Sequence, residues 1–274
     1  MRGDVNATFH GGKEAPLVDL RELESWILSR DENLLTVSKP GWLVCHPSKR
    51  GPLSSLVGAC KVLTGLDTLH LVSRLDRETS GAVILALNRQ TARDYQMAIQ
   101  AREVEKTYLA LLTGELTEDV RVDEPVGRDG NSPVFVKVKV SFSRRAKPAF
   151  TEISPLASSK GFTLARIRPT TGRKHQIRVH AQWIGHPVVG DKLYGPDETL
   201  YLEFVEHGWT DRLEKTLEMR RQALHAASVD FVGENIGRRF EAPFPEDIRA
   251  FCRERMGLSD EEIDRILIER GCRL

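Results

Sequence analysis

The sequence feature that most constrains the fold is an uncharged apolar run, Ala-Val-Ile-Leu-Ala-Leu, within residues 81–87. The run is short and rich in branched side chains, and a polar turn at residues 78–81 precedes it. This combination predicts a strand that is buried on both faces. Asp76 stands just before the turn, between Arg74 and Arg77. A lone carboxylate flanked by two cations is therefore expected at the end of a buried strand.

Alternating patterns elsewhere predict strands with one face against a core and one face in solvent. Residues 134–143 place valine and phenylalanine on one side and lysine or serine on the other, and residues 150–153 and 162–168 predict further strands. Residues 19–29 predict a short amphipathic helix. Together these patterns predict an α+β fold with a large, mixed, mostly antiparallel sheet and flanking helices.

No clear linker divides the chain. We expect residues 1–30 to form an N-terminal tail with the short helix, residues 31–245 to form the main domain, and residues 246–274 to form helices packed on it. In that last segment, Ser259 and Glu262 have the spacing of a capping box, which predicts the start of a helix.

The charge distribution is more informative than the total. The chain of 274 residues has a formal net charge of only +1. Residues 153–190 nevertheless contain no Asp or Glu, and a local positive field of this kind attracts phosphates. A basic surface without any function is the alternative. The cations of this stretch are Lys160, Arg166, Arg168, Arg173, Lys174 and Arg178.

Several classes of protein are disfavoured. No apolar run approaches the roughly 18 residues that would span a bilayer, and the N-terminus lacks the apolar core of a secretory signal, so no membrane partner and a cytoplasmic location are expected. The four cysteines show no C-x-x-C spacing. A phosphate-binding Walker loop and a G-x-G-x-x-G motif are also absent, so no nucleotide cofactor is expected.

Asp76 is the first candidate for chemistry. Neighbouring arginines favour the ionised carboxylate, which suits a nucleophile or a base better than a general acid. A structural ion pair at the start of a strand is the alternative. A zinc site built from His175, His180 and His186 is disfavoured, because spacings of five and six residues do not place the rings on one face of a helix.

The segment "SRLDRETSG" resembles the R-L-D-x-x-T-S-G motif of the RluA-type family of pseudouridine synthases. Further segments resemble blocks of that family in the same order along the chain. They are "LLTVSKPGWLVCHPS" (34–48), "EKTYLALLTGEL" (105–116), "PVGRDGNSPVFVKVKV" (125–140), "TTGRKHQIRVHAQWIGHPVVGDKLYG" (170–195) and "RQALHAASVDF" (221–231). The ordered set, and not any one motif, makes the resemblance specific.

The resemblance implies an isomerase that converts uridine in RNA to pseudouridine in a central RNA-binding cleft, with no cofactor and no metal. Asp76 matches the family's essential aspartate, which either attacks the ribose C1′ or removes the C2′ proton. Arg178 matches the basic residue that pairs with this aspartate. Tyr108 matches the tyrosine that stacks on the target base, and its hydroxyl is a candidate for removing the C5 proton.

The resemblance also implies a set of RNA contacts. The target base must leave the stack to be reached, and Arg74 is placed to fill the gap that it leaves. Arg173, Lys174 and His175 are expected to contact backbone phosphates. The remaining candidates for substrate binding are Arg77, Thr79, Gln176 and Ile177.

Some features leave the substrate open between ribosomal and transfer RNA. Ser73 replaces a histidine that is common in the family, the acidic segment 196–220 matches no family motif, and no S4-type RNA-binding domain is expected. RNA is the expected partner, DNA is not, and a monomer is expected. A catalytically silent RNA-binding protein on the same fold is the alternative function.

Overall fold

The computed structural model describes residues 16–46, 50–234, 236–269 and 271. The predicted tail over residues 1–15, residues 47–49 of the first motif block, and Cys272 lie outside these ranges. In chain order, the α-helices of the described residues are α1 Leu20–Ser25, α2 Leu56–Thr64, α3 Arg89–Gln100, α4 Gln176–Trp183, α5 Thr199–His207, α6 Asp211–Thr216, α7 Glu246–Phe251 and α8 Asp260–Glu269.

Most strands join one large sheet. Within the described residues this sheet has ten strands, in the order β1-β2-β4-β11-β5-β10-β9-β6, with β12 beside β11 and β3 beside β4, while β7 and β8 form a separate hairpin. The strands are β1 Ile27–Arg30, β2 Leu34–Lys39, β3 His70–Leu71, β4 Ser80–Ala86, β5 Val104–Thr113, β6 Val120–Asp123, β7 Val126–Arg128, β8 Val138–Val140, β9 Phe150–Ser159, β10 Phe162–Pro169, β11 Leu224–Gly233 and β12 Ile236–Glu241.

The apolar run that opened the sequence analysis forms β4, and all seven of its residues are buried. β4 lies inside the sheet, antiparallel to β2 and parallel to β11. The other pairings of described strands in this sheet are antiparallel. The predicted α+β fold with a mixed, mostly antiparallel sheet is therefore confirmed.

Two large apolar clusters pack against the sheet. One contains Leu111, Ile153 and Ile167 of the strands together with Ile177 of α4 and side chains of α7 and α8. The other lies under α1 and α2 and includes Leu35 of β2. Burial of apolar area of this kind supplies most of the stabilisation of a domain this size. The side chain of Tyr108 packs against both clusters.

Two predicted elements differ from the structure. Residues 134–143 do not form one strand: only Val138–Val140 is extended, because the segment belongs to the small β7–β8 hairpin rather than to the main sheet. Phe142, predicted on the apolar side, is 76% exposed. The predicted helix 19–29 ends at Ser25, since the residues from Ile27 pair with β2.

The ends of the described chain are integrated into the fold. β1 forms an antiparallel hairpin with β2, so a domain boundary at residue 30 falls within paired sheet. At the other end, the backbone N–H of Glu262 donates to Ser259 Oγ, and the backbone N–H of Ser259 donates to the Glu262 carboxylate. The predicted capping box is thus confirmed at the start of α8. No helix in the described ranges is long and apolar enough to cross a membrane.

The acidic segment 196–220 folds into α5 and α6. Leu200, Phe204, Leu213 and Leu217 form a small apolar cluster of their own beneath these helices. Their charged residues therefore lie on the outer side of a short helical unit that has its own core.

A glycine permits the close approach of β4 to β11. Gly81 has φ +115°, and a Cβ added there would lie 2.2 Å from the carbonyl oxygen of Ala226. Gly65, at the end of α2, has φ +70° and no atom within 4 Å of such a Cβ.

We expect Gly81→Ala to reduce the free energy of unfolding by about 3 kcal/mol, because left-handed backbone strain and overpacking add. The matched change Gly65→Ala incurs the strain alone and should cost about 1 kcal/mol. Urea denaturation of both variants checks this. Equal losses would show that the contact with β11 imposes no constraint.

Candidate active site

Asp76 lies in the loop between β3 and β4, at the end of the buried strand. Lys39, at the end of β2, fixes this loop: its Nζ is buried and donates to the carbonyl oxygens of Pro40, Leu43 and Arg77, each at 2.8 Å. A buried ammonium that is bound by three carbonyls ties the loop to the neighbouring strand. The side chain of Asp76 remains 26% exposed, so a ligand can reach it.

The partner of Asp76 is Arg178 on α4. Its Nη1 donates to Asp76 Oδ2 over 2.9 Å, and its side chain is only 8% exposed. The opposite side of the guanidinium donates from Nε and Nη2 to the two carboxylate oxygens of Asp191, at 2.6 and 2.8 Å. Arg178 is therefore held between two carboxylates, one buried and one accessible.

Asp191 orients this arginine. Its side chain is fully buried, and its Oδ1 also accepts the backbone N–H groups of Leu193 and Tyr194. Burial alone would raise the pKa of Asp191, but Arg178 and these hydrogen bonds lower it below its ordinary value. Asp191 is thus ionised and sets the direction in which Arg178 points.

Asp76 is held ionised in the same way. Burial acts to raise its pKa, and the charge and hydrogen bond of Arg178 overcome that effect, so the pKa lies below its ordinary value. Arg74 and Arg77 form no ion pair with Asp76 in the part of the chain that the structure describes. The sequence pattern therefore gave the right ionisation state, but the cation that pairs with Asp76 is Arg178 and not its neighbours in the chain.

His175 lies inside the site and not on its surface. Its Nδ1 is 2.9 Å from Tyr194 Oη, its Nε2 is 3.8 Å from Asp76 Oδ2, and its side chain is 11% exposed. Burial, followed by the charge of Arg178, lowers the pKa of His175 to about 4, so the ring is neutral at neutral pH. The neutral ring offers no cation to a phosphate, and the phosphate contact predicted for His175 stays a prediction.

Tyr194 completes the wall behind Arg178. The guanidinium carbon lies 4.9 Å from the centroid of its ring, an arrangement that favours the cation. The Tyr194 hydroxyl accepts the backbone N–H of Val138 over 3.1 Å. The site is thereby joined to the β7–β8 hairpin.

Tyr108 lies on β5, opposite Ala226 of β11 and Ile167 of β10. Its side chain is partly buried, which suits a ring that presents one face to a ligand. Burial, followed by the negative charge of Asp76, raises the pKa of Tyr108 above its ordinary value. The phenol is therefore neutral in the free protein and close enough to Asp76 to respond to its charge.

The basic turn, residues 171–175, leads into α4. Gln176 is buried beneath it and is fully bonded: its Oε1 accepts from Thr171 Oγ1 and the Arg173 backbone N–H, and its Nε2 donates to Phe150 O and Thr151 Oγ1. Gln176 therefore supports the turn. It was a predicted substrate contact, but its side chain is buried. Arg173 and Lys174 are exposed, as contacts to phosphate require.

The other predicted contacts divide by burial. Ile177 is part of the large apolar cluster, and Thr79 is buried with its hydroxyl accepting from Gln222 Nε2. Both were predicted to bind substrate and are instead enclosed by protein. Arg74 is exposed at the cleft, and Arg77 is half-buried with its carbonyl bound by Lys39.

Next to Thr79, the loop is also anchored to the helical unit of α5 and α6. The buried Lys192 donates to both carboxylate oxygens of Glu78, at 2.8 and 3.0 Å, and to the carbonyl of Arg220 at 2.6 Å. The same Nζ lies 4.6 Å from the ring centroid of Phe204 in α5. The acidic segment therefore supports the loop that carries Asp76.

The histidines considered as metal ligands have other partners. The ring of His180 bonds to Thr151 Oγ1 and the carbonyl of Glu124, and that of His186 bonds to the carbonyl of Thr113. Within the described residues, no three His, Cys, Asp or Glu side chains are arranged to hold a metal ion.

Several residues that hold the site together were given no role by the sequence analysis. They are Asp191, Tyr194, Lys39 and the Lys192–Glu78 pair. Asp191 and Lys39 carried a signal in the sequence. Asp191 is the first acid after the acid-free stretch, and Lys39 is the one charged residue of β2. Buried charges of this kind require partners, but only the tertiary structure identifies them.

A family model for RNA pseudouridylate synthases matches residues 33–183, more than half of the chain. The chain therefore belongs to the RNA pseudouridylate synthase family, whose members are isomerases. The predicted RluA-type relationship is confirmed by curated relatives.

Two relatives illustrate the similarity. Ribosomal large subunit pseudouridine synthase D of Nitrosomonas europaea is 31% identical over 250 residues, covering 88% of this chain and 68% of the relative. An uncharacterised RNA pseudouridine synthase of Mycoplasma pneumoniae is 36% identical over 219 residues, covering 79% of this chain and 65% of the relative. This chain thus spans about two thirds of the length of these relatives.

Solved structures show the same fold. Human RNA pseudouridylate synthase domain containing 4 aligns with a TM-score of 0.67 and 26% identity, covering 88% of this chain and 96% of that one. Human RNA pseudouridylate synthase domain containing 1 aligns with a TM-score of 0.64 and 24% identity, covering 90% and 95%.

We expect Asp191→Ala to reduce the free energy of unfolding by about 3 to 5 kcal/mol, because Arg178 would keep a buried charge with half of its partners. Glu218→Ala is a matched control, since its ion pair with Arg255 is exposed and should contribute less than about 1 kcal/mol. Urea denaturation provides both values. A loss no larger than that of the control would contradict the supporting role of Asp191.

Proposed function

We propose that this protein converts uridine to pseudouridine in structured RNA, with Asp76 as the catalytic carboxylate. The observation that carries the proposal is the Asp76–Arg178–Asp191 arrangement. It holds one ionised, accessible carboxylate in a fixed direction, near enough to Tyr108 for its charge to raise the pKa of that phenol. A carboxylate that is fixed by a buried arginine is already oriented before substrate binds, so little reorganisation is required at the reaction step.

The position of Asp76 supports an extruded nucleotide as the form in which the substrate reacts. The carboxylate lies at the end of a buried strand and not on a protruding surface, so a base inside an RNA stack would not reach it. The target uridine must therefore be flipped into the cleft, where the ring of Tyr108 offers a stacking surface. Arg74, which is exposed, would occupy the space that the base leaves.

The reaction is balanced without a cofactor. The N1–C1′ bond of uridine breaks as Asp76 either bonds to C1′ or removes the C2′ proton. The base then turns and C5 bonds to C1′, while the Asp76–C1′ bond breaks in the first variant or Asp76 returns the proton to C2′ in the second. The C5 proton then leaves and N1 takes up a proton. In either variant the carboxylate loses its negative charge in the first step.

That loss of charge links Asp76 to Tyr108. In the free protein, Asp76 contributes to the raised pKa of Tyr108. Once the carboxylate is esterified or protonated, this contribution disappears and the pKa of Tyr108 falls, although the effect of burial remains. While Asp76 is uncharged the phenol is therefore easier to ionise, and the phenolate is the form of Tyr108 that can take the C5 proton.

Ribosomal RNA is the first substrate class to test. A relative at 31% identity carries the name of a ribosomal large subunit pseudouridine synthase. The exposed Arg173 and Lys174 beside the cleft contact phosphates and do not read a base sequence, so the choice of uridine depends on RNA shape.

We expect Asp76→Asn to lower the yield of pseudouridine by roughly a thousandfold or more, because the amide is neither a nucleophile nor a base. The variant should fold and bind RNA, since Arg178 keeps Asp191. Carbodiimide-blocked primer extension on RNA from cells that lack the gene, complemented with each form, measures the product.

Asp119→Asn, an exposed carboxylate away from Arg178, is the control and should restore the product. Product formation by Asp76→Asn would refute the catalytic assignment. RNA binding by the wild type without pseudouridine at any site would favour the catalytically silent RNA-binding protein.

We expect Tyr108→Phe to bind RNA with unchanged affinity and to lower single-turnover formation of pseudouridine by roughly a hundredfold, because the ring remains and the proton acceptor is lost. Tyr108→Leu should weaken binding as well. A normal rate for Tyr108→Phe would remove the hydroxyl from the mechanism and leave a stacking role.

A further inference from the structure

A surface beside the active site has a composition that the catalytic residues do not explain. The arm, defined here as residues 126–147, contains the β7–β8 hairpin and the segments around it. Phe135 and Phe142 on the arm are each 76% exposed. They are the most exposed of the large apolar side chains in the described residues, and solvent exposure of this extent is costly without a ligand.

The exposure is not a result of a poorly packed arm. Val126 and Val134 are buried in a cluster with Tyr194, and Val136, Val138 and Val140 pack against that cluster. The backbone groups of Val126 and Lys147 exchange two hydrogen bonds, at 2.9 and 3.0 Å, which closes the arm at its base. The arm thus has an ordered apolar side, and the two phenylalanines are directed away from it.

Cations surround the two rings. The arm contains six Lys and Arg residues and a single acid, Asp129. Two of the lysines are neutralised, since Lys139 pairs with Asp129 and Lys137 pairs with Glu198. The remaining cations are exposed and form no ion pair with a residue in the described ranges. They are Arg128, Arg144, Arg145 and Lys147.

One cation is combined directly with an aromatic ring. The guanidinium carbon of Arg128 lies 4.5 Å from the ring centroid of Phe135. Because most of the Phe135 side chain is still exposed, the other face of the ring is open. Aromatic rings beside exposed cations are the combination with which proteins bind single-stranded nucleic acid, by stacking bases and pairing with phosphates.

The arm adjoins the catalytic site on two sides. The backbone N–H of Val138 donates to Tyr194 Oη, which in turn contacts His175 beside Asp76. At the base of the arm, Arg173 Nε of the basic turn donates to the carbonyl of Pro148 over 3.0 Å. The arm is therefore joined to the basic turn, and both carry exposed cations.

We propose that the arm is a second RNA-binding element that stacks unpaired nucleotides flanking the target uridine on Phe135 and Phe142. This inference rests on the proposed function for its choice of RNA as partner. It specifies the substrate further: the target uridine lies beside single-stranded nucleotides, as in a loop, a bulge or a junction, and not within a continuous duplex.

The test measures binding, so that it does not depend on catalysis. The protein is the full chain carrying Asp76→Asn, and the probe is a fluorescein-labelled oligouridylate of about twelve nucleotides. We expect Phe135→Leu and Phe142→Leu to weaken binding by about tenfold each, because leucine keeps apolar bulk but has no π-face. Phe142→Trp should restore or increase the affinity.

Three controls separate stacking from other effects. Met97→Leu changes an exposed apolar residue of α3, and it should leave the affinity unchanged. Arg144→Gln should reduce the salt dependence of binding, whereas Arg265→Gln on α8 should not. A blunt RNA duplex of the same length should bind the phenylalanine variants as it binds the parent.

The outcomes for the arm and for the enzyme are distinguishable. Unchanged single-strand affinity of both leucine variants would overturn the inference about the arm, even if the wild type forms pseudouridine. Equal weakening of single-strand and duplex binding would also overturn it, since stacking would not be involved. Selective loss of single-strand binding would support the arm even if the wild type formed no pseudouridine.

Discussion

The arrangement of the active site depends on one buried guanidinium. Arg178 is nearly excluded from solvent, and a charge in that position is tolerated only because Asp191 binds two of its nitrogens and Asp76 binds a third. Each carboxylate is kept ionised by the arginine that it stabilises. Since Asp191 is enclosed and Asp76 is accessible, a structural requirement for charge balance leaves one oriented carboxylate facing the cleft.

The surrounding elements serve this arrangement. Lys39 holds the Asp76 loop from the side of β2, and Lys192 holds it from the side of α5 and α6 through Glu78. The acidic segment that matched no motif is therefore a support for the Asp76 loop. Fixing the loop on both sides keeps Asp76 within reach of Arg178, whose other contacts are already made.

Neutral groups complete the site. Burial keeps the ring of His175 uncharged at neutral pH, and the phenol of Tyr108, whose pKa is raised above its ordinary value, is neutral as well, so Asp76 is the accessible ionised acid of the site. Substrate would encounter a fixed anion, an aromatic surface and, outside, the cations of the basic turn and of the arm. The exposed cations thus lie outside the site, while the negative charge of Asp76 lies within it.

Local sequence determined the buried strand β4, the α+β class, the capping box of α8 and the motif residues Asp76, Tyr108 and Arg178, because burial patterns and motif spacing are properties of short segments. It did not determine partners. Arg74 and Arg77 flank Asp76 along the chain, yet its cation is Arg178 from a distant helix; Gln176 and Ile177 lie in the motif, yet they support it from below. Residues 134–143 alternate like a strand of the main sheet, yet they form the arm. Tertiary structure decided these points, because electrostatic pairing and burial depend on distances between segments far apart in sequence.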